Sequence, residues 1–172
     1  MAWSAPRTWV VGELVTAAFM NQEIRDNIEY IADTMELYVQ CAKPSANEGI
    51  LGIVSVIQTR LLNDPAWVTF RIPDNFDTLL AAKFIVIPKM TSAAANWDIA
   101  FYNASEGEAY NTHTDLDNAT TYNVVNLQYY GVDFTPIMTT IAAGDICGAQ
   151  IILGDATHDF DAVGFYMKYS IG

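Results

Sequence analysis

Short apolar runs, separated by turn-forming residues, extend from residue 49 to the end of the chain and constrain its fold more than any other feature. The runs cover residues 51–59, 66–72, 79–87, 97–102, 122–129, 145–153 and 163–171. Turn formers such as Asn63-Asp64-Pro65, Gly131 and Gly144-Asp145 lie between them. About eight short strands spaced in this way predict a mainly β domain, an antiparallel β-sandwich or jelly roll over residues 43–172. Residues 134–141 fit either a short helix or a loop.

A helix is expected before this domain, over residues 16–42. Thr16 suits its N-cap, and Pro44 follows its end because the residue before proline avoids helical geometry. Apolar side chains recur at steps of three and four residues, close to the 3.5-residue spacing of a coiled coil. Such a narrow seam needs a partner helix, so the helix predicts oligomerisation. The seam consists of Met20, Ile24, Ile28, Ile31, Met35 and Tyr38.

The first fifteen residues form a third segment. Pro6 and Gly12 disfavour a regular helix, whereas Trp3 and Trp9 carry large apolar surfaces that favour burial. This pattern predicts an extended arm whose tryptophans anchor the chain to another protein or a neighbouring subunit. The alternative is that the arm folds back onto its own helix.

The charge balance limits the classes of partner. Twenty acidic and eight basic residues give a formal net charge of −12. Such a charge repels phosphate backbones and anionic membrane surfaces, which argues against nucleic-acid binding. A metal cation or a basic protein surface suits it better, and the alternative is that the acidity only keeps an assembly soluble. No apolar run approaches the roughly 20 residues that span a bilayer, and no signal peptide is evident, so we expect cytoplasmic synthesis without membrane insertion.

Sequence signatures of catalysis are absent. No nucleophile elbow, phosphate loop, HExxH pattern or kinase signature occurs. Twenty acidic residues offer many carboxylate pairs of the kind that glycosidases use, but none has a characteristic position. We therefore expect a protein that is not an enzyme, with a small depolymerase as the least favoured alternative. Cys41 and Cys147 lack metal-type spacing and are expected to be buried thiols.

Two clusters of polar residues are candidates for metal or receptor contact. If residues 111–117 form a strand, one face carries Asn111, His113, Asp115 and Asp117. Carboxylates with an amide suit calcium, and an imidazole suits zinc or nickel, although the spacing is not that of an EF-hand. The second cluster, in an expected loop, consists of Asp155, His158, Asp159 and Asp161. The alternatives are a charged edge strand for the first cluster and ordinary turn residues for the second. No cofactor is expected apart from this calcium hypothesis.

Tyrosines are dense around the middle strands. Because a tyrosine ring stacks on apolar faces while its hydroxyl forms hydrogen bonds, such residues suit sugar recognition. The alternative is that most of them line the core or a subunit interface. They are Tyr102, Tyr110, Tyr122, Tyr129 and Tyr130.

The beginning of the chain resembles the N-terminal segments of tail-fibre, tail-appendage and head-decoration proteins of tailed bacteriophages. The pattern comprises Trp9, Gly12-Glu13, Val15-Thr16-Ala17-Ala18, Met20-Asn21 and Ile24-Arg25-Asp26-Asn27. The later residues are similar in outline to phage jelly-roll modules, through Ile72-Pro73-Asp74-Asn75-Phe76, Ala143-Gly144-Asp145 and Phe165-Tyr166-Met167-Lys168-Tyr169.

This resemblance implies an anchor followed by a jelly-roll head, often in a homotrimer. The expected function is that of a structural virion protein, made in the host cytoplasm, that decorates a capsid or forms a short fibre with other capsid or tail proteins. The alternative is a receptor- or glycan-binding tip module that contacts a host surface glycan or protein.

Overall fold

The computed structural model describes residue 16 and residues 34–41, 48–51, 54–61, 64–118, 120–155 and 157–172. The expected docking arm and most of the expected helix lie outside these residues. The anchoring residues Trp3 and Trp9 and the seam residues Met20, Ile24, Ile28 and Ile31 are therefore outside as well. Within the described ranges, no helix has the length and apolar character needed to cross a membrane.

Strands account for most of the described residues. They are β1 (Thr34–Gln40), β2 (Glu48–Leu51), β3 (Val54–Thr59), β4 (Pro65–Arg71), β5 (Phe76–Pro88), β6 (Ser92–Ala104), β7 (His113–Asp117), β8 (Thr121–Val124), β9 (Tyr130–Asp133), β10 (Ile146–Leu153) and β11 (Phe160–Ile171). The segment expected to be a short helix or loop contains a 3-10 helix, Thr135–Ile137.

The strands form two antiparallel sheets. Sheet A has the order β2-β3-β11-β5-β9, with β1 also paired to β11, and sheet B has the order β4-β10-β6-β7, with β8 also paired to β6. The pairs β3·β11, β4·β10, β5·β9 and β6·β7 are nested, the outer strands in sequence enclosing the inner ones. A long antiparallel ribbon rolled in this way is the topology of a jelly roll. The predicted jelly-roll sandwich is therefore confirmed.

Alternation along the strands determines which side chains enter the core between the sheets. In β4, Ala66, Val68 and Phe70 are buried, and in β10 alternate residues from Cys147 to Leu153 are buried. Side chains two residues apart lie on one face of a strand, so the intervening residues of both strands lie on the outer face of sheet B.

Aromatic rings join the two sheets at two places. Phe70 of sheet B stacks on Phe165 of sheet A, with ring centroids 5.1 Å apart. At the second place, Trp97 of sheet B meets Phe160 of sheet A in an edge-on contact at 5.2 Å. The rings of Trp97 and Phe160 are both fully buried. Aromatic pairs at such separations add about 0.5–1.5 kcal/mol each beyond the burial of their area.

The prediction of a helix over residues 16–42 is wrong for residues 34–40, which form β1 and pair with Ser170 to Gly164 of β11. Leu37 and Val39 pack against the core, whereas Met35 and Tyr38 are exposed. The apolar period there is two residues, and pairing with β11 prevails over helix propensity. Met35 and Tyr38 thus do not extend a helical seam, and the sandwich begins before the expected boundary at residue 43.

A glycine permits the close approach of β1 to β11. A Cβ atom added at Gly164 would lie 2.7 Å from the backbone oxygen of Val39 and against the ring of Tyr38. We expect Gly164→Ala to displace β1 and to lower the free energy of unfolding by about 1–3 kcal/mol, as overpacking does. Urea unfolding measures this change.

The matched control is Gly148→Ala, since a Cβ atom there meets nothing within 4 Å. Equal stabilities for the two variants would contradict the close-approach explanation.

Candidate ligand-binding groove

The outer face of sheet B carries aromatic and neutral polar side chains. Register places Thr69, Gly148 and Tyr102 side by side across β4, β10 and β6. In the next row, Trp67 lies beside Gln150. These residues alternate with the buried core positions and therefore point away from the core.

The centre of this face is a gap left by a glycine. Gly148 lies between Thr69 on one side and Tyr102 on the other, and nothing approaches within 4 Å of the point where a Cβ atom would lie. The sheet backbone is thus open to solvent at the point where a side chain would otherwise cover it. Glycine in a strand interior often marks such a place of close approach by a ligand.

Three adjoining depressions make this face a groove. One of about 460 Å³ is lined by Arg71, Ser105, Glu106, Tyr110 and Ile146, among others. A second of about 280 Å³ shares Tyr110 and Ile146 with the first. A third of about 200 Å³ shares Thr69, Tyr102 and Gly148 with the second. The groove follows β10 from Ile146 to Gln150, a distance of about 14 Å at the usual rise of a strand.

Several polar atoms in the groove are available to a ligand. Within the described part of the chain, the side-chain polar atoms of Trp67, Tyr102 and Gln150 make no hydrogen bonds. Tyr110 is 83% exposed and Ile146 is 54% exposed, although both line the groove. Apolar surfaces with a few convergent polar groups are typical of small-molecule sites.

Charge is concentrated at one end of the groove, where the first depression includes Arg71, Glu106 and Glu108. Arg71 donates a hydrogen bond to Asp74 at 2.6 Å, which holds the pKa of that carboxyl below its usual range. Glu108 accepts a hydrogen bond from the amide of Ser105 at 2.9 Å. The guanidinium is therefore already partnered, and this end is acidic.

A buried carboxylate fixes the loops at this acidic end. Asp145 accepts hydrogen bonds from the Ser105 hydroxyl at 2.6 Å, from Asn103 Nδ2 at 2.9 Å and from the Ala142 amide at 2.9 Å. Burial opposes its ionisation, but these donors outweigh burial and lower its pKa. Gly144 precedes it with a φ of +87°, a conformation that favours glycine.

The first polar cluster of the sequence lies at the sheet edge. His113, Asp115 and Asp117 are on the edge strand β7, half-buried and paired with Asn103, Phe101 and Ile99 of β6. Asn111 lies in the exposed turn before it. His113, Asp115 and Asp117 lie on one face of β7, whereas Asn111 does not belong to the strand. Inward-pointing charges of this kind on an edge strand discourage edge-to-edge aggregation.

The second polar cluster divides into two parts. Asp161 is buried in β11 and forms ion pairs with Arg60 and with Lys89, the latter at 2.5 Å. Asp155 and His158 contact each other in the loop before β11, where the side chain of Asp159 is half-buried.

His158 contacts Ser92 and Asn96 at the start of β6, whereas His113 pairs with Asn103 near the end of the same strand. The two clusters therefore lie toward opposite ends of the sandwich.

The calcium hypothesis gains no support from these positions. Among the described residues, no three His, Cys, Asp or Glu side chains are grouped in a way that could hold a metal ion. Asp161 has two cationic partners, and the prediction that it lies in a loop is wrong because β11 already begins at Phe160.

The tyrosines divide between core and surface. Tyr122 and Tyr130 pack on Trp97, and burial raises the pKa of Tyr122 to about 12. Tyr102 and Tyr110 line the groove, and Tyr129 is exposed outside it.

Sequence reasoning did not identify Trp67, Gly148 or Gln150 as groove residues. Alternation within β4 was the available signal for Trp67, because Ala66 and Val68 occupy the opposite face.

Comparisons with known proteins give a limited result. No protein-family model matches the chain, and no curated protein matches it. Similar solved structures include the CBM36-1 domain of a multidomain xylanase from the hindgut metagenome of Trinervitermes trinervoides, with 12% identity, a TM-score of 0.41, and coverage of 77% of this chain and 96% of that chain.

Two further solved structures show the same level of similarity. The first is TmCBM61 in complex with beta-1,4-galactotriose, with 11% identity, a TM-score of 0.39, and coverage of 83% of this chain and 93% of that chain. The second is dimeric latent PorU from Porphyromonas gingivalis, with 11% identity, a TM-score of 0.40, and coverage of 81% of this chain and 13% of that chain. Similarity of this degree identifies neither a family nor a ligand for this chain.

The buried carboxylate predicts a pH dependence of stability. The pKa of Asp145 in the folded protein is below the unfolded value of about 3.9. Its stabilising contribution is therefore complete above that value and is lost as the pH falls through the folded pKa. We expect Asp145→Asn to lower the free energy of unfolding by about 1–3 kcal/mol at pH 7, because a buried charged acceptor is lost, and by less at pH 3.

Urea unfolding of the wild type and the variant at both pH values measures this difference. Asp115→Asn is the control, since the Asp115 carboxylate accepts no hydrogen bond within the described residues. A stability difference for Asp145→Asn that is the same at pH 7 and pH 3 would contradict the assignment.

Proposed function

We propose that this protein is a glycan-binding module and that the groove on the outer face of sheet B is its binding site. The observation that carries the proposal is the combination of aromatic rings around an open strand backbone. Trp67, Tyr102 and Tyr110 surround a floor left bare by Gly148. A sugar ring has apolar C–H faces and polar hydroxyl edges, so it pairs with aromatic faces and neutral hydrogen-bonding groups together.

The charge of the groove supports a neutral glycan rather than a polyanion. Glu106 and Glu108 lie at one end, and the guanidinium of Arg71 is paired with Asp74. The net charge of −12 adds a repulsive field for sulfated or phosphorylated chains. At the other end, Gln150 and Thr69 offer uncharged donors and acceptors. We expect binding of neutral oligosaccharides over anionic ones.

The virion role is a second part of this proposal. The residues that carry the phage resemblance at the start of the chain, from Trp9 to Asn27, lie outside the described residues apart from Thr16, so the resemblance alone supports it. In that setting, the sandwich would be the head of a decoration or fibre protein, and the groove would contact a glycan of the host surface. Met35 and Tyr38 belong to strand β1 and therefore not to the helical seam on which the trimer prediction depends. The trimer itself stays a prediction.

Filling the groove tests the proposed binding site. Gly148→Leu places a side chain on the groove floor without touching the core, because the position is open. We expect this variant to keep the wild-type unfolding midpoint and to lose binding on an array of neutral, anionic and amino-sugar oligosaccharides.

Removing one aromatic platform is the complementary test. Tyr102→Ala should weaken binding by about 1–2 kcal/mol, or roughly 5–30-fold in Kd, as for other buried aromatic contacts. Isothermal titration with the tightest oligosaccharide from the array measures this change. Tyr129→Ala is the matched control, since Tyr129 is 64% exposed outside the groove. Full binding by Gly148→Leu, or no oligosaccharide binding by the wild type, would contradict the proposal.

A further inference from the structure

A serine, a histidine and an aspartate meet at the end of the sandwich away from the acidic end of the groove. Ser92 begins β6, and Asp155 and His158 lie in the connection between β10 and β11. Ser92 Oγ is 3.3 Å from His158 Nε2. His158 Nδ1 forms a hydrogen bond with Asp155 Oδ2. Each nitrogen of the imidazole therefore contacts one member of the group.

The contacts of the ring determine its tautomer. The amide of Asn96 approaches His158 Nδ1 at 3.4 Å, whereas the carboxylate of Asp155 is much closer. A carboxylate only accepts hydrogen bonds, so in the neutral imidazole the proton is on Nδ1 and is donated to Asp155. The lone pair of Nε2 then faces the hydroxyl of Ser92. This order of donor and acceptor is the one in which a histidine acts as a general base toward a serine.

Neighbouring groups hold the aspartate and the histidine in place. Asp155 Oδ1 accepts hydrogen bonds from the Thr157 amide at 2.8 Å and from the Thr157 hydroxyl at 2.6 Å. The backbone oxygen of His158 accepts a hydrogen bond from Trp97 Nε1 at 2.8 Å, and the Trp97 ring is fully buried. The histidine is thus attached to the core, which gives the group a rigid support.

The backbone beside the serine is irregular and open. In the pairing of β6 with β8, Ser92 is opposite Val124 and Ala95 is opposite Tyr122. Two residues of β6 therefore face one residue of β8 between these pairs, and this extra residue makes a β-bulge. The two residues within the bulge, at positions 93 and 94, are both exposed alanines, and the amide of the second donates to Ser92 Oγ at 3.1 Å. Ser92 itself is half-buried, and the exposed alanines beside it leave this part of β6 open on the solvent side.

We propose that Ser92, His158 and Asp155 form a second functional site, a hydrolytic triad that cleaves esters of small carboxylic acids. Ser92 is the nucleophile, His158 is the general base and acid, and Asp155 is a positioning residue that fixes the tautomer of His158. The site does not depend on the groove, and it departs from the expectation that the protein is not an enzyme.

The reaction divides into two balanced steps. In the first, the Ser92 Oγ–H proton passes to His158 Nε2 while Oγ bonds to the ester carbonyl carbon. The carbon–oxygen bond to the alcohol then breaks, and the alcohol leaves with that proton. In the second, His158 takes a proton from water, the hydroxide attacks the acyl carbon, and Ser92 Oγ leaves with the proton as the carboxylic acid is released.

Labelling of the full chain with a fluorophosphonate probe tests the proposal directly. The expected result is one covalent adduct, located at Ser92 by peptide mass spectrometry. For p-nitrophenyl acetate, we expect kcat/KM to fall about 100-fold or more in Ser92→Ala and in His158→Gln, the range typical of lost acid–base or nucleophilic catalysis. Asp155→Asn should lower kcat while KM and the unfolding midpoint stay unchanged.

Two controls separate this site from other reactivity. Thr91→Ala removes the hydroxyl of the residue just before Ser92. The Thr91 hydroxyl oxygen accepts a hydrogen bond from the Asn126 amide at 3.1 Å and forms none with a member of the triad. This variant should keep the adduct and the hydrolysis rate. Leu116→Ala should also keep both, since Leu116 is exposed on the edge strand β7, opposite Ala100 of β6, and belongs neither to the triad nor to the groove. A wild-type protein that takes no adduct, takes it elsewhere, or hydrolyses the ester no faster than Ser92→Ala would overturn the triad.

Discussion

The stack of Phe70 on Phe165 is the contact on which the rest of the sandwich depends. It joins β4 of sheet B to β11 of sheet A, and β11 in turn pairs with β1, β3 and β5. Phe84 and Phe134 meet the same ring of Phe165 edge-on at 6.1 and 5.5 Å. Because Phe70 is held inward, its neighbours Thr69 and Arg71 must point outward on the same strand. One wall of the groove therefore follows from a core contact.

Trp97 has the corresponding role at the other end of the sandwich. Its ring packs on Phe160 and Tyr122, and its indole N–H holds the backbone of His158. His158 thus has a fixed position beside Ser92. The two proposed sites are built on the same long strand, since Ser92 begins β6 and Tyr102 lies near its end. Their separation along β6 is about 30 Å at the usual strand rise, so each can be changed without the other.

Local pattern predicted much of the fold but less of the two sites. The apolar runs and turn formers predicted the β-sandwich, since alternation and glycine positions are properties of single strands. The helix expected up to residue 42 was wrong for Thr34–Gln40, because pairing of that segment with β11 is a contact across more than a hundred residues. The gap at Gly148 and the meeting of Ser92 with His158 depend on sheet register in the same way. No short motif contains either arrangement.

Mapping a bound oligosaccharide onto the backbone tests the central claim most directly. The measurement is a titration of isotope-labelled wild-type protein with the tightest-binding neutral oligosaccharide from the array, followed through amide chemical shifts. Glycan binding in the groove predicts the largest shifts at Trp67, Thr69, Tyr102, Gly148 and Gln150, with unchanged amides along β1 and β11. Saturable binding with its largest shifts on sheet A, or no saturable shift in the groove, would contradict it.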